Sequence, residues 1–176
     1  MDQEQWTEWF AIHDEAIRRL KSAEWKLRVS MFPSFGNAHS LGIVMQGSET
    51  RGLHQVWRYD LDVEKFRTPI ERMKHPKTLQ PTFEQFSEPI NADVLQRLLE
   101  LLNKSLPRTL PPMTFAGCDG TRYEIEAGTH MHKLTFEWWE RGPQEWRDLV
   151  EYTQSVWHIL TSEMSSDPLP KPQPYF

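Results

Sequence analysis

The sequence predicts an α+β domain: a single antiparallel sheet of about five strands with amphipathic helices packed on one face. Three observations carry this. Apolar residues alternate with polar ones in several short stretches, the period of a half-buried strand. In longer stretches they recur at helical spacing. The first three predicted strands are joined by links far shorter than the crossover of about a dozen residues that parallel pairing requires. A chain of 176 residues fits one domain, assigned to residues 1–164, and a domain of this size buries about 70% of the surface its unfolded chain exposes. The stretch 165–176, with proline at every second position from 168 to 174, reads as an extended or disordered tail.

Taken in order, Trp6, Trp9, Phe10, His13, Ile17 and Leu20 mark an amphipathic helix from Asp2 to about Ser22, with basic residues in its last turn to suit the helix dipole. Next, "EWKLRVSMF" alternates Trp25, Leu27, Val29 and Met31 with Lys26, Arg28 and Ser30, a half-buried strand. "PSFGNAHS" and "GSETRG" are turns flanking a short strand, "LGIVMQ". "HQVWRYDLDV" puts Trp57, Tyr59, Leu61 and Val63 on one face of a third strand. Prolines at 69, 76, 81 and 89 break residues 64–90 into loop with one or two helical turns. After Asn91, an N-cap, Val94, Leu95, Leu98, Leu101 and Leu102 form the apolar stripe of a helix that ends near Leu106. "TRYEIEAGTHMHKLTFEWW" reads as a hairpin turning at Ala127 and Gly128, and Pro143 starts a last helix with Trp146, Leu149, Val150, Thr153, Trp157 and Leu160 on its buried face.

Composition narrows the classes of function. With 25 acidic against 20 basic residues, the chain lacks the electrostatic footprint of a nucleic-acid binder. The mildly basic stretch containing Arg51, Arg58, Lys65, Arg67 and Lys74 reads as solvated surface. The start "MDQEQWTEWF" lacks the basic and apolar segments of a secretory leader, and no apolar run reaches the roughly 20 residues that span a bilayer. The single cysteine, Cys118, permits no intrachain disulfide. A soluble cytoplasmic protein is expected. Eight tryptophans suit either a core or an interface.

The stretch "THMHKLTFEWWERGPQEW", residues 129–146, offers the most suggestive chemistry. A two-residue loop at Ala127 and Gly128 would set Ile125 opposite His130 and Tyr123 opposite His132. Both imidazoles then share the apolar face with Leu134, Phe136 and Trp138, while Glu124, Glu126, Lys133, Thr135 and Glu137 form a solvent-like face. Tyr123, His130 and His132 are the candidate ligand-binding residues. A metal centre needs further ligands at about 2 Å, and the nearby carboxylates point the other way, so no metal is expected. In the same register Cys118 falls about 16 Å along the strand from His132, at about 3.3 Å per residue. A nucleophile and its base must approach to about 3 Å. Phosphate-loop, nucleophile-elbow, H-E-x-x-H and EF-hand motifs are absent. No catalytic residue and no cofactor is implied. Trp138 and Trp139 must point to opposite faces, leaving Trp139 either packed under the 141–146 turn or exposed as an interface anchor. Trp139 and the tail residues Tyr175 and Phe176 are the interface candidates.

"DGTRYEIE" followed by "FEWWERGPQEWRDLVEY" resembles a pattern of small bacterial proteins of unknown function, in which D-G-T-x-Y leads a hairpin and a tryptophan, a proline and an amphipathic terminal helix follow. Orphan and immunity-type proteins of bacterial conflict systems are among them. The resemblance covers the last third of the chain, and its motif is structural, so no catalytic residue is carried over. Together with the missing catalytic constellations it favours a non-enzymatic protein-binding factor, immunity-like or accessory. Such a factor would engage a protein partner or a second copy, and neither nucleic acid nor membrane. The alternative is a small-molecule-binding protein or enzyme with a pocket near His130 and His132.

Overall fold

Alternation in the first strands builds two different faces of one sheet. The computed structural model describes residues 3–67, 80–108, 119–129, 131–164, 166 and 168–169. In chain order its elements are α1 (Gln3–Leu20), β1 (Trp25–Pro33), β2 (Ala38–Gln46), β3 (Glu49–Trp57), α2 (Tyr59–Arg67), β4 (Phe83–Pro89), α3 (Ala92–Ser105), β5 (Thr121–Gly128) and β6 (Lys133–Trp139). A 3₁₀ turn (Gln144–Trp146) and α4 (Arg147–Glu163) follow. The class is α+β, with one antiparallel sheet in the order β4-β3-β2-β1-β5-β6. β1 to β4 pair in sequence, and the β5–β6 hairpin adds to the free side of β1.

On the first face Leu27, Val29, Met31, Leu41, Ile43, Tyr123 and Ile125 bury against Val94, Leu98 and Leu102 of α3 and Leu149, Val156 and Leu160 of α4. Asn91 caps α3, its side chain accepting from the Asp93 N–H at 2.9 Å. The Tyr152 hydroxyl donates to the Leu98 carbonyl at 2.8 Å, tying α4 to α3 inside the core. The second face is also covered. Ile12, Ala16 and Leu20 of α1 and Phe66 of α2 pack on Phe32, Ala38 and Trp57. The helices therefore sandwich the sheet at this end, where the sequence alone led us to expect them on one face.

Covering the second face brings charge into the interior. Arg28 is fully buried, and Glu124 and Glu126 are 2% and 7% exposed, although the alternation reads both glutamates as solvent-facing. Arg28 lies opposite Glu126 across the β1–β5 ladder, so its Nη2 donates to Glu126 at 2.9 Å and to Glu124. Lys21, just past α1, closes on Glu124, and Lys133 on Glu126 at 2.8 Å. Gly42 makes room for this packing, since a β-carbon there would meet the Leu27 carbonyl and lie 2.8 Å from Arg28 Cα.

The remaining elements depart from expectation for identifiable reasons. Tyr59, Leu61 and Val63 belong to a helix, not to the third strand. The Asp62 carboxylate, 2% exposed, accepts from the Trp57 indole and the Thr82 N–H, both at 2.8 Å, which turns the chain sharply after Trp57. β4 is a sixth strand inside the stretch expected to be loop. Its residues are half-buried on both faces, as befits an edge strand bounded by prolines, so it lacks clean alternation. Pro143 precedes the 3₁₀ turn and is not the first residue of α4. In the hairpin, Gly128 pairs with Lys133, Ile125 with Phe136 and Tyr123 with Trp138. The loop is thus four residues, 129–132, and the strand pairs slide by an even number of positions, which preserves the two faces.

Candidate functional site

The shifted hairpin register disperses the residues that the sequence suggested as a ligand site. Tyr123 is fully buried and stacks on Trp138, with ring centroids 5.9 Å apart and planes at 13°. Burial pushes its hydroxyl up to about 12. His132 sits exposed in the loop beside Thr129, six residues from the tryptophan that pairs with Tyr123. His130, Cys118, Tyr175 and Phe176 lie outside the described residues. Trp138 lies against Gly142 under the following turn, one of the two places that the sequence leaves open for Trp139.

Trp139 instead points to the second face, where a cleft of about 440 Å³ opens among His13, Phe32, Pro33, Ser34, Arg122, Glu137 and the two tryptophans. Each wall has a sequence cause. α1 must bury Ile12 and Ala16 on the sheet, and the helical repeat then turns His13 toward the cleft. The His13 ring meets Trp57 edge to face at 5.4 Å. Burial holds His13 below the usual imidazole range, nearby Asp14 works against this, and the charge of Arg122 adds to it. Its neutral ring thus offers one donor and one acceptor. On β5, alternation that buries Tyr123 sends Arg122 to this face. Its guanidinium lies 4.7 Å from the centre of the Phe32 ring and 3.5 Å from Glu137, an exposed and weakly held ion pair.

The floor of the cleft explains the D-G-T-x-Y and W-W stretches as partners in space. Gly120 has φ of 127°, and a β-carbon there would collide with the Glu140 carboxylate and lie 2.9 Å from the Trp139 indole nitrogen. Glu140 in turn clamps Thr121, its own N–H donating to the Thr121 carbonyl at 2.8 Å while its carboxylate accepts from the Thr121 N–H. Gly120→Ala is therefore expected to cost about 1–3 kcal/mol, as overpacking does, and to displace Trp139. Thermal unfolding and the assigned indole N–H resonance of Trp139 check this, and an unmoved resonance would contradict it.

Three aromatic side chains near the cleft residues in sequence are exposed. Phe35, next to Ser34, is 75% exposed, and Trp6 and Phe10 on α1 stack at 5.7 Å while 44% and 57% exposed. Trp9, by contrast, packs among Trp57, Tyr59 and Phe66. A second groove of about 470 Å³ runs along Arg141, Gln144, Arg147 and Gln154 at the start of α4, and most of the residues that line it are polar or charged.

Elsewhere, two histidines that sequence reasoning passed over form a buried pair. His39 Nδ1 and His54 Nε2 are 3.2 Å apart, at 3% and 0% exposure, with Trp157 edge-on to both rings. Among the described residues no group of three or more His, Cys, Asp or Glu side chains could hold a metal ion. Three residues of the basic stretch are paired locally: Arg51 binds Glu49, Arg58 binds Asp60 and Glu84, and Lys65 approaches Asp62; Lys74 lies outside the described residues. Among the described residues no helix is long and apolar enough to cross a membrane. Comparison of the chain with protein-family models, with curated proteins and with solved structures yields no match.

Proposed function

We propose that the chain is a non-enzymatic binding protein, of an immunity-like or accessory kind, that engages another protein through the cleft between α1 and the β5–β6 hairpin. The observation that carries this reading is the makeup of the cleft and its rim. Arg122, Trp139, His13 and Phe32 line it, and Phe35 stands exposed beside it. Arginine and tryptophan are the side chains that most often anchor protein interfaces. Among the described residues the ion-pair partner of Arg122 is exposed Glu137 at 3.5 Å, so an incoming carboxylate or carbonyl can compete for it without breaking a buried ion pair.

The reading is tested with a photo-crosslinking amino acid at Phe35 and, as a control, at Lys104 on the far side of the sheet. In cells of the native source the Phe35 position is expected to capture one defined protein, the Lys104 position none, and Trp139→Ala and Arg122→Ala should each cut capture at least tenfold while leaving unfolding cooperative. Equal capture from both positions would overturn the reading. So would undiminished capture by the two alanine variants.

A further inference from the structure

Among the described residues the sheet has two unpaired edge strands, β4 and β6, and they are built differently. Along the antiparallel β5–β6 ladder, pairs that exchange hydrogen bonds alternate with pairs that do not. The Thr129 N–H donates to the His132 carbonyl and the Glu140 N–H to the Thr121 carbonyl, both at 2.8 Å. In the register Gly128↔Lys133 to Arg122↔Trp139, the bonded set is therefore Thr121/Glu140, Tyr123/Trp138, Ile125/Phe136, Ala127/Leu134 and Thr129/His132. By elimination the N–H and C=O groups of Lys133, Thr135 and Glu137 point away from β5, into the open edge.

The sequence of that edge, Lys133-Leu134-Thr135-Phe136-Glu137, is complementary to itself when reversed. Centring an antiparallel partner on Thr135 brings Lys133 opposite Glu137, Leu134 opposite Phe136 and Thr135 opposite Thr135. Opposite charges, apolar pairs and threonine pairs are the cross-strand combinations that stabilise a sheet. All three outward-pointing residues then fall at hydrogen-bonding positions. The side chains are accessible, since Lys133, Thr135 and Glu137 are exposed and Leu134 is 41% exposed, and Lys133 and Glu137 would share their charge with Glu126 and Arg122 of their own chain. The same operation on β4 fails. Centred on Phe86, it sets Glu84 against Glu88, and the strand ends at Pro89, features that guard an edge.

We infer that β6 is a self-association edge, whose occupant is the β6 strand of a second copy in the two-fold register centred on Thr135. The product is a continuous sheet of twelve strands, twice the six in one chain, with a closed, isologous interface. Directly opposed residues of an antiparallel pair share a face, so both copies turn their clefts to the same side. The inference rests on the edge and shares one residue, Glu137, with the cleft, so Thr135→Pro, which leaves the cleft lining unchanged, separates it from the proposed role of the cleft.

Sedimentation velocity on the full chain tests it at high micromolar concentration. The wild type is expected at twice the chain mass. Lys133→Glu sets glutamate against glutamate and Glu137→Lys sets lysine against lysine, so each variant alone should be monomeric. Their equimolar mixture restores both attractive pairs and should return to the dimer, a rescue that loss of folding could not produce. Thr135→Pro removes only the outward N–H, which proline in an edge strand tolerates, and should be monomeric with unchanged circular dichroism. A monomeric wild type, a dimer that survives Thr135→Pro, or a mixture that stays monomeric while both variants are folded would each overturn the inference. Occupation of this edge by an extended peptide of another protein, with no self-pairing, would overturn it too.

Discussion

Replacing Arg28 with leucine is expected to lower the free energy of unfolding by about 3–5 kcal/mol, the usual result of removing one partner from a buried ion pair. Arg28 is fully buried, and its Nη2 serves both Glu124 and Glu126. Its loss leaves two carboxylates, 2% and 7% exposed, with only Lys21 and Lys133 at the margin. The pair is not intrinsically a large source of stability, because desolvating three charges offsets most of their attraction. Arg28 Nε and Nη1 are moreover buried with no hydrogen-bond partner among the described residues. Replacing Arg28, Glu124 and Glu126 together by leucine should therefore recover most of the loss. Urea unfolding of the single and triple variants checks both statements. A single variant within about 1 kcal/mol of wild type, the range of an exposed pair, would contradict the burial on which they rest.

Lowering the pH is expected to destabilise the fold through the His39–His54 pair before most carboxylates protonate. Burial, with the neighbouring His54, depresses His39 from 6.5 to about 3. Between those values the unfolded chain binds a proton that the folded chain refuses. The contribution is therefore complete above pH 6.5 and is lost as pH falls toward about 3. Each pH unit in that window costs up to about 1.4 kcal/mol, so the whole effect is on the order of 5 kcal/mol. Unfolding free energies measured by urea between about pH 7 and pH 4 test this. A His39→Leu/His54→Leu double variant, which removes both partners at once, should show a flatter profile. Identical slopes for the variant and wild type would place the acid sensitivity elsewhere.

Much of the fold was legible because it rests on period. The strand around Leu27, Val29 and Met31 and the helices around Leu98 and Leu149 announce their buried faces by spacing alone, and Asn91 announces a cap. Elements decided by tertiary partners were not. α2 follows β3 without a break in the apolar alternation, because a single carboxylate, Asp62, turns the chain by binding Trp57 and Thr82. β4 alternates poorly because both its faces are half-buried. Glu124 and Glu126 look like solvent residues until α1 and Arg28 cover them.

The candidate site was legible only in fragments. Tyr123 and His132 fell on a plausible shared face under a two-residue loop, and the four-residue loop separated them. Trp139 and Gly120 were visible as parts of a pattern, but their contact is a matter of register. His13 was legible only as part of the spacing that marks α1, and Arg122 carried no local signal; each lies next in sequence to a buried residue, Ile12 and Tyr123, and it is their burial that aims the two side chains at one cleft.

The central claim is that the cleft between α1 and the hairpin is where this protein meets its partner. Hydrogen–deuterium exchange of the chain, free and bound to the protein captured at Phe35, tests it most directly. Protection is expected to concentrate in the peptides around His13, Pro33–Phe35, Gly120–Tyr123 and Glu137–Glu140. Protection confined to the groove at Arg141–Gln154, or none in the cleft peptides, would contradict the claim.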